Sequence, residues 1–183
     1  AQDKKKAAAH LVRLIRDNDY HIGTGFPGTP FVLFALADNG YGEDACRMLL
    51  TDTCPSWLYE MKVGGTTIWE RWDALREDGT GGMVSFNHYA SGAVGDFLYR
   101  RIAGIEALEG GYKSFQIEPL MGGGITWAKG RVITAYGPVS SEWELKNGIF
   151  TITVEVPVGT VCYLTMPSGT KRTLGSGKYT MSE

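Results

Sequence analysis

The sequence has no apolar run near the roughly 18 residues that a membrane-spanning helix requires. Its apolar stretch Phe31 to Ala37 has the length of a buried helix instead. It has no excess of basic charge either. Eighteen Lys and Arg against 20 Asp and Glu leave a net charge of −2, so no cationic face is expected for nucleic acid or anionic lipid. Cysteine is scarce and odd in number. Cys46, Cys54 and Cys162 show no metal-ligand spacing and cannot complete a disulfide framework, so we expect small buried residues and a reducing compartment. Gly122-Gly123-Gly124 is not followed by Lys-Ser/Thr, which sets aside a phosphate loop and leaves a flexible strand entry. The chain starts directly on a helix-forming Ala-Gln-Asp-Lys-Lys-Lys, with no signal peptide and no clear natural start.

What is present is ordinary globular material with an unusual accent. Hydrophobic residues at 43% and charged residues at 21% suit one or two domains with real cores. Twenty-five glycines and five tryptophans are high for 183 residues, and both fit a loop-rich ligand surface.

The first half reads as helices. Ala8, Leu11, Val12 and Ile15 form one apolar stripe over residues 4–17, the other side being charged. His21 to Gly28 is a turn-rich loop whose glycines can take positive φ. Thr29 is then the expected N-cap and Pro30 the first helical residue. Phe31 to Ala37 is apolar all round and is expected to be buried all round. Asn39-Gly40 ends it. Glu43 and Asp44 suit the N-terminal dipole of a half-exposed helix carrying Ala45, Cys46, Leu49 and Leu50. Pro55 starts another, largely apolar helix through Val63. Asn87 is the expected cap of a long helix lined by Ala90, Ala93, Val94, Phe97, Leu98 and Ile102, with Gly92 and Gly95 admitting a neighbouring backbone. Half-wet helices thus alternate with buried ones, as in two concentric helical rings.

From about residue 104 the pattern changes to short β-branched and aromatic runs: 126–136, 141–146, 149–156, 161–166 and 171–174. Asn147-Gly148 is a strong two-residue hairpin turn, and Ile149 to Val156 alternates apolar with polar. An antiparallel sandwich is expected there.

Between the helices lies Thr66-Thr-Ile-Trp-Glu-Arg-Trp-Asp73. Glu70 stands between Trp69 and Trp72, behind Gly64-Gly65. Apolar ring faces can stack on a sugar while a carboxylate acts as acid, base or nucleophile. The plainer reading makes both indoles core and pairs Glu70 with Arg71 or Arg76. Likewise Arg71 and Asp73 either steady Glu70 or form a surface pair. Tyr89 is expected as a packed ring, His10 as an outer-helix residue and His21 as a loop residue.

The segments Thr24-Gly-Phe-Pro-Gly-Thr-Pro, Phe31–Asp38, Asn39-Gly-Tyr-Gly, Pro55-Ser-Trp-Leu-Tyr, Gly64–Asp73 and Ser85-Phe-Asn-His-Tyr-Ala-Ser-Gly together resemble the bacterial α-L-rhamnosidases of glycoside hydrolase family 78. The likeness covers roughly residues 22–104, and the β tail is similar in type to that family's C-terminal sandwich. The resemblance implies an α+β, two-domain chain. Residues 1–106 would be the C-terminal part of an (α/α)6 barrel of the six-hairpin glycosidase kind, and 107–183 an antiparallel β-sandwich. It implies an inverting hydrolysis of terminal α-L-rhamnose from glycosides or polysaccharides, with Glu70 as general base and His88 binding sugar hydroxyls. Trp69, Trp72 and Phe26 are the expected stacking surfaces. No metal or organic cofactor is required for this chemistry. The setting expected is cytoplasmic or periplasmic rather than that of a disulfide-stabilised secreted protein.

One departure from the family pattern is consequential. The acids before Gly64 are Asp3, Asp17, Asp19, Asp38, Glu43, Asp44, Asp52 and Glu60, all in helix-face or capping contexts, so no general acid is visible. Five helices are legible where a six-pair barrel needs about twelve. The missing N-terminal part of the same enzyme is therefore the expected partner, and the isolated chain is expected to be inactive, with an open barrel edge. Two other classes remain open. Another (α/α)6 enzyme, a polysaccharide lyase or a glucoamylase-like hydrolase, would be distinguished by unsaturated products from uronate polymers. A binding or structural module would use Trp127 and Trp143 as a stacking platform, although alternation suggests that at least one of them is core.

Overall fold

A computed structural model describes residues 2–183, with Ala1 lying outside them. The chain divides into two compact units: residues 1–95 with 122–124, and residues 96–121 with 125–183.

The first unit is helical. Helix α1, Gln2–Asp17, buries Ala8, Val12 and Ile15, the stripe its spacing predicts. Helix α2, Thr29–Ala37, begins one residue earlier than expected. Gly28 takes the N-cap position. Thr29 instead turns its hydroxyl back onto Gly25 O (3.1 Å). Pro30 still costs nothing, since a first-turn N–H has no intrahelical partner to lose. α2 is not covered all round. Val32, Leu33 and Leu36 are buried, but Phe31 is 66% exposed, because α1 and α3 lie along the other side.

Helix α3, Gly42–Leu49, buries Asp44 as well as its apolar stripe, while Leu50 remains exposed. Asp44 does more than face a dipole. It accepts two hydrogen bonds from the Arg16 guanidinium, at 2.6 and 2.8 Å. That contact holds its carboxyl below the usual range, against the opposing effect of burial. Residues 122–124 dock onto α3. Gly123 N donates to Glu43 Oε2 (2.8 Å), and a Cβ on Gly123 would lie 2.9 Å from the Cys46 carbonyl carbon. Gly122 and Gly123 thus form a close-packed contact, whereas Gly124 has nothing within 4 Å of where a Cβ would sit.

Helix α4, Trp57–Lys62, starts after Pro55, with Ser56 as N-cap accepting from Tyr59 N (3.2 Å). Trp57 is buried and its indole N–H donates to Ser91 O (2.9 Å). The long helix expected after Asn87 is broken into α5, Tyr89–Gly92, α6, Val94–Phe97, and a π-turn, Leu98–Ile102. Gly92 and Gly95 are weak helix formers. Neither has any neighbour within 4 Å of where a Cβ would sit, so they admit no backbone approach. The π-turn closes with Ala103 N to Leu98 O (2.8 Å).

The second unit is a sandwich of two four-stranded sheets among the described residues. In chain order the strands are β1 Ile105–Ala107, β2 Ser114–Ile117, β3 Trp127–Thr134, β4 Gly137–Lys146, β5 Ile149–Val156, β6 Val161–Thr165, β7 Lys171–Leu174 and β8 Gly177–Ser182. One sheet runs β1-β2-β6-β7 and the other β3-β4-β5-β8. The pairs are antiparallel except β2 with β6, which meet side by side after the chain has built three strands of the other sheet between them. β5 carries Phe150, Ile152, Val154 and Val156 inward, as its alternation requires. They share one core with Ile105, Phe115, Ile117, Val139, Trp143, Cys162 and Leu164. Gly130 leaves room in it, since a Cβ there would lie 2.7 Å from Ala103 Cβ.

Two cysteines behave as expected. Burial pushes the Cys46 thiol up to about 11 and Cys162 to about 12, so both stay protonated. Cys54 is exposed instead, since it lies in the loop before α4. No described helix is long and apolar enough to cross a membrane.

Candidate functional site

The site is assembled within the helical unit by two irregular segments, 66–73 and 85–88, held together by backbone pairing. Glu70 N donates to Ser85 O (2.9 Å), and His88 N donates to Ile68 O (2.9 Å). The Thr67 hydroxyl donates to Phe86 O. This ladder puts Glu70 and the start of α5 on one scaffold.

Glu70 is half-buried. Its Oε2 accepts from Ser85 N (2.9 Å). Its Oε1 has no hydrogen-bond partner among the described residues, and the carboxylate makes no ion pair there. The plainer reading of Glu70 pairing with Arg71 or Arg76 is not what the side chains do. Arg71 grips Asp73 with two hydrogen bonds of 3.1 Å, and Arg76 reaches Asp73 at 3.7 Å. A cavity of about 410 Å³ opens beside Glu70, with Phe26, Trp72, Thr24 and Ser91 on its walls. That volume is enough for a monosaccharide.

The aromatic residues divide by burial. Trp72 lines the cavity and stands edge-on to Trp57, 5.3 Å between centroids. Phe26 is 44% exposed. Trp69 is 1% exposed, packed edge-on against Phe86 at 5.7 Å. An enclosed indole offers no face to a ligand, so Trp69 supports the segment from beneath.

His88, and not Asn87, caps α5. Its Nδ1 accepts from Ala90 N (3.3 Å), which places a ring proton on Nε2 in the neutral imidazole. Its ring lies between Phe26 (4.4 Å, 23°) and Tyr89 (5.1 Å, 20°). Tyr89 is not a packed ring: it is 83% exposed and forms the outer layer of this stack. His10 contacts Arg13, and His21 contacts Asn18 and Thr53, both away from the cavity.

Sequence reasoning missed Glu60. It is 1% exposed, and Oε2 accepts from Trp69 N (3.1 Å). Burial pushes its carboxyl up to about 7, with the Trp69 N–H acting in the other direction. No signal in α4 announces this, because the cover comes from Trp69, nine residues on. In the sandwich one of the two tryptophans is core, as alternation suggests, although both border one surface cavity. Trp143 is buried, donating to Ile102 O (2.8 Å), while Trp127 alone is 67% exposed. No grouping of three or more His, Cys, Asp or Glu able to hold a metal ion occurs among the described residues.

Helical hairpins bearing a carboxylate in an aromatic-walled cavity, followed by a β-sandwich, define the chain as part of a six-hairpin glycosidase. The bacterial α-L-rhamnosidase six-hairpin glycosidase domain matches residues 1–102, and the bacterial α-L-rhamnosidase C-terminal domain matches residues 104–181. The chain belongs to the bacterial α-L-rhamnosidase family. It is 44% identical over 168 residues to an α-L-rhamnosidase of Streptomyces avermitilis, spanning 90% of this chain and 16% of that protein. The crystal structure of the native α-L-rhamnosidase from Aspergillus terreus superposes with a TM-score of 0.95 at 38% identity, over 100% of this chain and 22% of that one. The Streptomyces avermitilis α-L-rhamnosidase complexed with L-rhamnose superposes with a TM-score of 0.92 at 38% identity, over 98% and 20%. The chain thus spans about a fifth of the length of the relatives it matches.

Proposed function

We propose that this chain is the C-terminal part of an inverting α-L-rhamnosidase, its helical unit completing the barrel and its β-sandwich following it. Glu70 is the general base. The observation that carries this reading is the division of labour on its carboxylate. Ser85 N–H fixes Oε2, while Oε1 is left to take a proton from water attacking the anomeric carbon. In an inverting enzyme the general acid stands about 6.5–9.5 Å away across the sugar. The preceding part of the enzyme supplies that acid, and a rhamnose-containing glycoside or polysaccharide is the substrate.

Trp72 and Phe26 provide apolar walls for the sugar ring and its C6 methyl group. His88 donates from Nε2–H to a sugar hydroxyl, since Nδ1 is engaged by Ala90. The Phe26 and Tyr89 rings on its two faces hold the imidazole plane in place.

The test has two arms. NMR of the full-length enzyme acting on an α-L-rhamnoside should show β-L-rhamnose as the first-formed anomer, and α first would contradict inversion. The isolated 183-residue chain should bind L-rhamnose without turning rhamnosides over. His88→Ala should weaken binding by about tenfold, the loss of one hydrogen bond, and Glu70→Gln should leave it largely intact. Turnover by the isolated chain, abolished by Glu70→Gln, would contradict the assignment of the acid elsewhere.

A further inference from the structure

Glu60 is a buried carboxyl that the reaction outlined above does not use. It faces inward from α4, and Oε1 is buried with no hydrogen-bond partner. Burying a carboxyl with part of its hydrogen-bonding capacity unmet is costly. An apolar side chain of the same size would fill the space but leave the buried Trp69 N–H without its acceptor. What Glu60 supplies here is therefore a hydrogen-bond acceptor rather than volume.

What Glu60 touches suggests the reason. Its main-chain carbonyl accepts from Gly65 N (2.7 Å), and its side chain accepts from Trp69 N (3.1 Å). It thus grips both ends of the 65–69 loop. Gly65 is required for this closeness, because a Cβ there would lie 2.6 Å from Glu60 O and 2.7 Å from the Trp69 ring. Directly beyond Trp69 is Glu70, tied to Ser85 through N–H and Oε2. Directly before it is Ile68, whose carbonyl holds His88 N. The Trp69 amide is the central link between these two ties, and Glu60 is its acceptor.

We propose that Glu60 is a positioning residue of the hydrolytic site: by accepting the Trp69 N–H it sets the height of the Ile68–Glu70 segment, and with it the Glu70 carboxylate and the His88 ring. This rests on Glu70 being the general base. Misplacing a base by a fraction of an ångström slows proton transfer more than it weakens sugar binding, so the effect belongs in kcat.

Three variants separate acceptor geometry from charge. Glu60→Gln keeps an acceptor in reach of Trp69 N and drops the charge. Glu60→Asp keeps the charge and retracts it by one methylene, and Glu60→Met keeps the volume and removes the acceptor. In the full-length enzyme acting on 4-nitrophenyl α-L-rhamnoside, Glu60→Met and Glu60→Asp should lower kcat by about 10- to 100-fold with little change in KM. Glu60→Gln should recover most of the loss. In the 183-residue chain, NMR should show faster amide exchange at Trp69 and Glu70 for Met and Asp, and slow exchange for Gln.

Wild-type kcat in all three variants, or full activity in Glu60→Asp with none in Glu60→Gln, would overturn the proposal. If Glu60→Met fails to fold, the Gln and Asp pair still decides. Glu70→Gln is run alongside. Full activity in that variant would defeat the reading of Glu70 as base, whereas its inactivity beside unaffected Glu60 variants would defeat only the positioning role.

Discussion

The two units of this chain hold their parts together differently. The sandwich closes on itself: fourteen hydrophobic residues form one continuous buried core, and both sheets contribute inward faces. The helical unit buries Leu33, Leu36, Ala45, Trp57 and Trp69. Both units leave large apolar side chains exposed, among them Phe31 (66%) and Tyr89 (83%) in the helical one and Ile133 (70%) and Val158 (79%) in the sandwich. The candidate site lies in the helical unit. Its proposed general base, Glu70, is held by backbone pairing between loops, whereas the sandwich relies on hydrophobic packing. The difference teaches that the proposed chemistry rests on ties between loops rather than on a continuous apolar core.

That contrast can be broken from the stable side first. Trp143→Ala removes a buried indole and strands the Ile102 carbonyl it satisfies. We expect a loss of about 3–5 kcal/mol, measured by urea unfolding of the chain, and an unchanged midpoint would show that the sandwich core is not the stable part.

The next effect tests the helical unit. Asp44 is buried with its pKa lowered in the fold by the Arg16 guanidinium. A depressed folded pKa contributes stability above the unfolded value near 3.8, which is lost as pH falls through the folded value. Asp44→Asn should therefore cost about 1–3 kcal/mol at pH 7, and the deficit should shrink below pH 4. Urea titrations at pH 7 and pH 3 check both halves, and a deficit independent of pH would exclude the ion pair as its source.

The smallest effect is on exposed apolar surface. Phe31→Ser should change stability by no more than about 0.5 kcal/mol while reducing self-association in sedimentation velocity. A large destabilisation would mean that Phe31 is covered in solution.

Much of this organisation was legible in the sequence. The Asn147-Gly148 turn takes positive φ at both residues, 53° and 78°, as a tight hairpin demands. The inward face of β5 follows from its alternation alone. The strands that escaped notice are short or polar: β1 and β2 have three and four residues, and β8 presents Thr180 and Ser182, which pair with β5 through Thr153 and Thr151 hydroxyls. Such residues read as a loop until their neighbour is known. The motif around Glu70 was visible, but the burial of Trp69, the cap at His88 and the inward turn of Glu60 depend on contacts between segments. Periodicity within α4 cannot register a cover that arrives from residue 69.

The central claim is that Glu70 deprotonates the attacking water. Azide tests it most directly, because it is a nucleophile that needs no base. In the full-length enzyme Glu70→Ala should lower kcat by about 10²–10⁴-fold. Added azide should restore turnover of 4-nitrophenyl α-L-rhamnoside and yield β-L-rhamnosyl azide, formed by attack at the anomeric carbon as nitrophenolate departs. Near-wild-type activity without azide, or azide leaving an inactive variant inactive, would contradict the account.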